Sequence, residues 1–248
     1  MRRAGTWPTA SQDAFFSSVS LLLNMNGTNE STTFTDSSNT TKTVTAFGDA
    51  KVSTTQSKFG QSAIFDGTGD YLEIANNAAF DFGTGDLTIE AWLYISANSG
   101  TDADGSRSAN VVNTWPASGS LSGYALNVLG NSTTTGTGLG FDTWSSSSAT
   151  LYRATVNVSQ TTWHHVAVSV SGGTRRLFLN GTEASGSTST VSSGYTQANS
   201  LGNAFRIGRT SYVNYPLALN GFIDDLRVTK GVARYTANFT PPAAELAP

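Results

Sequence analysis

An all-β fold, two antiparallel sheets packed face to face as a sandwich, is what this sequence predicts, and three observations carry it. Short apolar segments alternate with period two, as in Asp86 to Ile95 (DLTIEAWLYI), Trp163 to Val170 (WHHVAVSV) and Phe222 to Thr229 (FIDDLRVT). Stretches rich in Gly, Ser, Thr and Asn separate them and contain turn signals such as Asn180-Gly181. No segment shows a convincing helical period, a heptad or an internal repeat.

Taken in order, residues 1–18 form an arm of low periodicity that carries Trp7, Phe15 and Phe16. Val19 to Asn26 reads as the first strand, Thr41 to Phe47 as the second, and Lys51 to Ser57 as a short edge strand. Ser57 to Ala75 reads as a hairpin, because the glycine-rich turn Asp66-Gly67-Thr68-Gly69 lies between two apolar strands. In Asp86 to Ile95 one face holds Leu87, Ile89, Ala91, Leu93 and Ile95, and the other holds Thr88, Glu90, Trp92 and Tyr94. That second face is either a groove or a surface covered by loops. Val111 to Trp115 and Tyr124 to Leu129 read as strands; Ser96 to Ala109, Pro116 to Ser122 and Asn131 to Gly138 read as loops. Trp163 to Val170 and Arg175 to Asn180 make a hairpin, Ser185 to Asn199 a loop, and Phe205 to Arg209 and Phe222 to Thr229 the last strands. Lys230-Gly231 turns the chain, Tyr235 and Phe239 are expected to anchor a wrapping tail, and Pro241-Pro242 closes the domain, leaving residues 243–248 as a tail.

At 248 residues the chain fits one large all-β domain, over residues 19–242. Charged residues are 12% and hydrophobic ones 38%, with 5 Trp and 13 Phe, which supplies a core under a polar, weakly charged surface. A net charge of −3 gives no electrostatic reason to expect nucleic acid. The absence of cysteine excludes a disulfide framework, a thiolate metal site and a thiol nucleophile, and favours a bacterial or viral product made in a reducing cytoplasm. Val19 to Leu23 is too short for a signal-peptide core or a membrane span, so neither secretion by a leader nor membrane insertion is expected.

The order of blocks resembles the laminin-G-like, concanavalin A-like jelly-roll family. It is carried by Phe59 to Ile74 (FGQSAIFDGTGDYLEI), Asp86 to Ile95, Trp163 to Thr182 (WHHVAVSVSGGTRRLFLNGT), Phe205 to Arg209 (FRIGR) and Gly221 to Pro242. Ser20 to Thr45 and Lys230 to Pro242 (KGVARYTANFTPP) resemble a narrower group, the laminin-G-like domains of tailed-bacteriophage virion proteins. That resemblance implies a non-enzymatic virion protein made in the host cytoplasm. Its leading form is a capsid decoration or cement subunit, attached through the arm by Trp7, Phe15 and Phe16 to a major capsid protein or a tail protein. The alternative is a tail or fibre adhesion module that binds host-surface carbohydrate, and a homo-oligomer would suit either setting. A single domain behind a short arm, with no shaft repeat or coiled coil, favours the decoration form.

A polysaccharide-active enzyme is the weakest reading. Glycosidases of this fold need two carboxylates flanking one bond, about 5 to 5.5 Å apart when retaining, and the corresponding strand offers only Glu90, with Trp92 where a second acid would stand. His164 and His165 are adjacent, so they point to opposite faces and cannot chelate one ion together; one is expected under the sheet and the other at the surface. No G-x-S-x-G elbow is present. Asp102 to Ser106 lacks the remainder of a calcium loop. Period two places Asp224 on one face with Phe222, Leu226 and Val228, where a carboxylate either caps backbone amides or holds a structural Ca²⁺. The resemblance points to the second role, with carbonyls near Asn26 and Gly67 as companions, although Asn26 stands where relatives often carry an acid. Trp115, Tyr124, Asp142 and Trp144 are the carbohydrate-binding candidates, since sugars are held by aromatic platforms beside amides and carboxylates; the competing role for the Trp residues is core or subunit packing. Tyr195, Tyr212 and Tyr215 form a second candidate rim.

Overall fold

The computed structural model describes residues 13–97, 108–120, 122–129, 138–145, 148–190, 198–212 and 217–248. Among them, two antiparallel sheets of eight strands each pack face to face. The first runs, edge to edge, β13 (Thr182–Ala184), β12 (Thr174–Leu179), β11 (Trp163–Ser171), β6 (Leu87–Ala97), β16 (Asn220–Lys230), β4 (Ser62–Asp66) and β3 (Lys51–Ser53). β16 is shared: β4 pairs with its first half and β1 (Val19–Leu23) with its second. The second sheet runs β14 (Gly186–Thr190), β10 (Ser148–Thr155), β9 (Gly138–Ser145), β8 (Gly123–Leu129), β7 (Ser108–Asn113), β15 (Phe205–Ile207), β5 (Tyr71–Ile74) and β2 (Thr45–Phe47).

The core lies between the sheets. Ile89, Leu93, Val166, Val168 and Ile223 enter it from the first, and Leu72, Leu126, Phe141, Phe205 and Ile207 from the second. Each large apolar side chain buried this way contributes about 1.5 to 3 kcal/mol. Phe80, on a 3₁₀ turn at Ala78–Phe80 capped by the Asn77 side chain, stacks on Phe205 at 4.2 Å and closes one end. At Asn180-Gly181 both residues adopt positive φ, 52° and 77°, which the two-residue turn from β12 to β13 requires.

Several elements differ from the sequence expectation. The glycine-rich turn after Asp66 does not close a hairpin: β4 belongs to the first sheet and β5 to the second, so the turn carries the chain across the sandwich. The Asp70 carboxylate fixes this crossing by accepting from the amides of Asp66 and Asp49. β9, β10 and β14 are strands although their Gly, Ser and Thr content hid them; β14 lies within the stretch expected to be a loop. Alternation in β16 breaks at a bulge between Asp224 and Arg227, where Asp225 adopts φ 49°. Consequently Leu226 and Val228 face the core while Phe222 and Asp224 face outward, which corrects the single row expected for those four residues. The last part of the arm, residues 13–18, is bound to the domain: the Asp13 carboxylate accepts from Arg227 and Arg234, and Phe16 packs with Val19, Leu22 and Leu246. Trp7 lies outside the described residues.

Candidate functional site

Each sheet has an outward face, and the two are built differently. On the first sheet, Thr88, Glu90 and Trp92 of β6 point outward and are covered by the chain's own tail and by the loop at residues 54–61. Glu90 is 0% exposed. Its Oε1 accepts from Arg227 Nε (2.9 Å) and Nη2 (2.7 Å), and its Oε2 accepts from Tyr235 Oη (2.6 Å) and His165 Nε2 (3.2 Å). Burial pushes this carboxyl up, but the His165 bond, the Arg227 charge and the Tyr235 hydroxyl outweigh it and hold it at about 2. Around this hub Tyr235 stacks on Phe239 at 3.5 Å, and Phe239 meets Phe178 and His165 edge-on. The tail therefore occupies this face, with Phe239 N–H donating to the Gly181 carbonyl and Asn238 accepting from the Glu183 amide.

At the other end of the same face, Asp224 Oδ2 accepts from the amides of Lys58 (2.9 Å) and Phe59 (2.8 Å). Lys58 Nζ sits 3.9 Å over the Trp92 ring. Burial raises the Asp224 carboxyl to about 7, against the lowering effect of the Phe59 amide. Asp224 Oδ1 is buried without a hydrogen-bond partner among the described residues, but the groups converging on this carboxylate are N–H donors. Among the described residues no three His, Cys, Asp or Glu side chains come together. The two amides make Asp224 Oδ2 a cap for the backbone at Lys58 and Phe59. Asn26 likewise bonds to chain groups, accepting from the Gln61 amide and donating to Glu245.

On the second sheet one outward row runs across seven strands in register: Thr45, Glu73, Arg206, Asn113, Ala125, Asp142 and Leu151. Asn113 Nδ2 donates to Asn110 Oδ1 (2.7 Å), and Asn110 Nδ2 to Asn127 Oδ1 (2.8 Å), so three buried amides form a connected network beneath this face. Arg153 clamps Asp142 with Nη2 at 2.8 Å and Nε at 3.3 Å. At one flank Trp144 is half-buried; at the other Tyr71 lies between the Phe47 ring (4.6 Å, parallel) and the Arg206 guanidinium (4.6 Å), with Arg206 paired to Glu73 at 2.6 Å. The indole N–H groups of Trp144 and Trp115 have no hydrogen-bond partner among the described residues.

The family model described as the concanavalin A-like lectin/glucanases superfamily matches residues 66–234. The chain belongs to this superfamily. Its jelly-roll fold is shared with domain 4 of AbnA, a GH43 extracellular arabinanase from Geobacillus stearothermophilus solved in complex with arabinotriose. That pair is 17% identical with a TM-score of 0.56, covering 87% of this chain and 93% of that one. The binding domain of botulinum neurotoxin serotype D/C is 14% identical with a TM-score of 0.60, over 94% of this chain and 50% of that one. The serotype DC binding domain in complex with SialylT is 14% identical with a TM-score of 0.56, over 94% and 49%. The chain thus spans about half the length of the toxin binding domains it matches. No curated protein matches it significantly in sequence.

As a lectin/glucanase superfamily member, the chain distributes the four sugar-binding candidates unevenly. Tyr124 is 0% exposed and faces the core, where its hydroxyl donates to the Phe80 carbonyl at 3.1 Å, so it is removed from the site. Asp142 and Trp144 share the outward face of β9, although Asp142 is 1% exposed and engaged by Arg153. Trp115 is 6% exposed and lies outside the inter-sheet core. Both histidines are buried, which corrects the expectation of one at the surface: His164 bonds to Ser159 and Asn180, and His165 to Glu90. Tyr212 donates to the Gly119 carbonyl; Tyr195, Tyr215 and the Asp102 to Ser106 loop lie outside the described residues. The Asn110–Asn113–Asn127 network and the Phe47–Tyr71–Arg206 stack were not identified from sequence. Their signal is weak there, because each residue looks like ordinary strand or loop polarity until register aligns them.

Proposed function

We propose that the chain is a non-catalytic carbohydrate-binding adhesion module that contacts its ligand through the outward face of the second sheet. The observation that carries this reading is the set of exposed and half-buried groups on that face, Phe47, Tyr71, Glu73, Arg206 and Trp144, around a buried amide and carboxylate network. Sugars are bound by such combinations of hydrogen-bonding groups and ring faces. The arabinotriose complex of the arabinanase domain and the SialylT complex of the toxin domain support it, since both share this fold. Glu90, the single acid of the glycosidase-like strand, lies on the opposite sheet's outer face and is ion-paired and covered, which argues against hydrolysis. The resemblance to tailed-bacteriophage domains makes a tail or fibre the setting in which this module meets host-surface glycan.

A capsid decoration role is the second reading. Phe15, 46% exposed beside Arg234, supports it as a contact for a neighbouring virion protein; Phe16 is occupied within the domain. Retention of the purified chain on polysaccharide from host cells, lost with Trp144→Ala, is the expected result. Equal retention of the variant, or none by the parent chain, overturns the site. Cryo-electron microscopy of intact particles separates the settings: density at the tail tip supports adhesion, and density on the capsid lattice supports decoration.

A further inference from the structure

A bulge after β15 turns a second arginine onto the outward face of the second sheet. Regular alternation from Arg206 would send Arg209 towards the core. Ile207 faces the core, and so does Gly208, where φ is 88° and a Cβ would lie 2.6 Å from the Phe65 ring. Two successive inward positions displace the alternation by one residue, so Arg209 emerges on the same side as Arg206. Both guanidiniums lie near the Tyr71 ring, Arg206 at 4.6 Å and Arg209 at 6.0 Å. Their partners differ: Arg206 is neutralised by Glu73, whereas the Arg209 side chain has no ion pair or hydrogen bond among the described residues. The backbone of Arg209 is nevertheless fixed, since its carbonyl accepts from Asn113 Nδ2 at 2.7 Å and the residue bridges to Ala218. A half-buried guanidinium has lost part of its water, and its planar fork of N–H donors matches a carboxylate through two parallel bonds. The net charge of −3 gives no general attraction for an acidic polymer, so any preference for one has to come from a local cation. Phe47, 37% exposed and stacked on the same Tyr71 ring, supplies an apolar ring face close to that cation.

We infer that Arg209 is a carboxylate subsite and that the glycan held by this face contains an acidic sugar, its carboxylate on the Arg209 guanidinium and the sugar chain against Phe47. The inference rests on the glycan-binding reading and names a ligand class for it.

The test is binding of the full chain to polysaccharides before and after chemical reduction of their carboxylates to alcohols, with polygalacturonate, alginate and polysaccharide from host cells as the pairs. The expected result is a preference of about ten-fold or more for the unreduced member of a pair. Arg209→Met should abolish that preference, while Lys58→Met, which removes the same charge from the opposite sheet's outer face, should leave it intact; each variant is checked for an unchanged circular dichroism spectrum. Should Arg209→Met fail to fold, Arg209→Gln takes its place. Dextran sulfate against dextran separates carboxylate from sulfate, and an equal preference for the sulfated polymer overturns the ligand class. Equal binding to both members of every pair, a preference that survives loss of Arg209, or one that is lost equally with Lys58→Met overturns the subsite and leaves the glycan-binding reading standing. Absence of binding to every polysaccharide, reduced or not, overturns both.

Discussion

Arg227 donates through two nitrogens to the same oxygen of Glu90, at 2.9 and 2.7 Å, beneath a tail that seals both from water. A buried pair of this kind adds little net stability compared with an apolar pair, but losing one partner strands the other. Glu90→Gln is therefore expected to cost about 3 to 5 kcal/mol in urea unfolding. An unchanged midpoint would show that the hub is not structural.

The same network sets an acid limit. Glu90 is held at about 2 in the folded chain against an ordinary 4.5, so its contribution is complete above 4.5 and is lost as pH falls towards 2. Asp13 is shifted in the same direction: burial opposes, but the Arg234 bond prevails. Thermal melts should show stability declining below about pH 4.5, and Glu90→Gln should flatten that decline.

Asp224 and Asp225 act with the opposite sign. Burial raises them to about 7 and about 6, so the folded chain holds protons that the unfolded chain has released. Stability should fall as pH rises from about 4 to 7. Asp224→Asn keeps an acceptor for the Lys58 and Phe59 amides and removes the ionisation, and is expected to gain about 1 to 2 kcal/mol at pH 8 with little change at pH 4. A loss at both pH values would return the carboxylate to a role that needs its charge.

The strap over the first sheet is held at Phe239, which contacts Phe178, Tyr235 and His165. Phe239→Ala should cost about 1 to 2 kcal/mol, since the ring is half-buried. Gly181→Ala should act on the same contact from the other side, because φ is 77° there and a Cβ would collide with the Phe239 carbonyl. Rapid proteolysis within residues 232–248 in either variant, with the sandwich still protected, is the expected signature.

Trp144→Ala and Tyr124→Ala should separate binding from folding. The first removes a half-buried ring from an outward face and should weaken glycan binding at least ten-fold, with a melting temperature within a few degrees of the parent. The second opens a cavity in the core and should cost about 3 to 5 kcal/mol, with any binding loss following unfolding.

Much of the sandwich was legible because β6, β11 and β16 alternate apolar and polar residues with few exceptions. β9 (GLGFDTWS) and β14 (GSTST) were not, since glycine and serine carry no strand preference and only pairing makes them strands. The single face expected for Asp224, Leu226 and Val228 was wrong for a related reason: a bulge shifts alternation by one residue and leaves no mark in the sequence. Tyr124 and Trp144 are both aromatic residues near long loops, and only register separates the core residue from the surface one. Tyr235 and Phe239 were identified as anchors, whereas their target, the Glu90 hub, depends on contacts more than a hundred residues apart in sequence.

β16 joins β6 to β4 and β1, so the middle of the first sheet is made from residues 220–230. On the ribosome, β1, β3 and β4 must wait beside β6, β11, β12 and β13 with unpaired edges until this strand emerges. Long-range pairing of this kind is slow and exposes sticky edges to other chains. Nascent chains stalled after residue 215 should be protease-sensitive and chaperone-bound, and release of the full chain should restore protection. Closure of the first sheet is thereby delayed until residues 220–230 are available, however early its other strands are made.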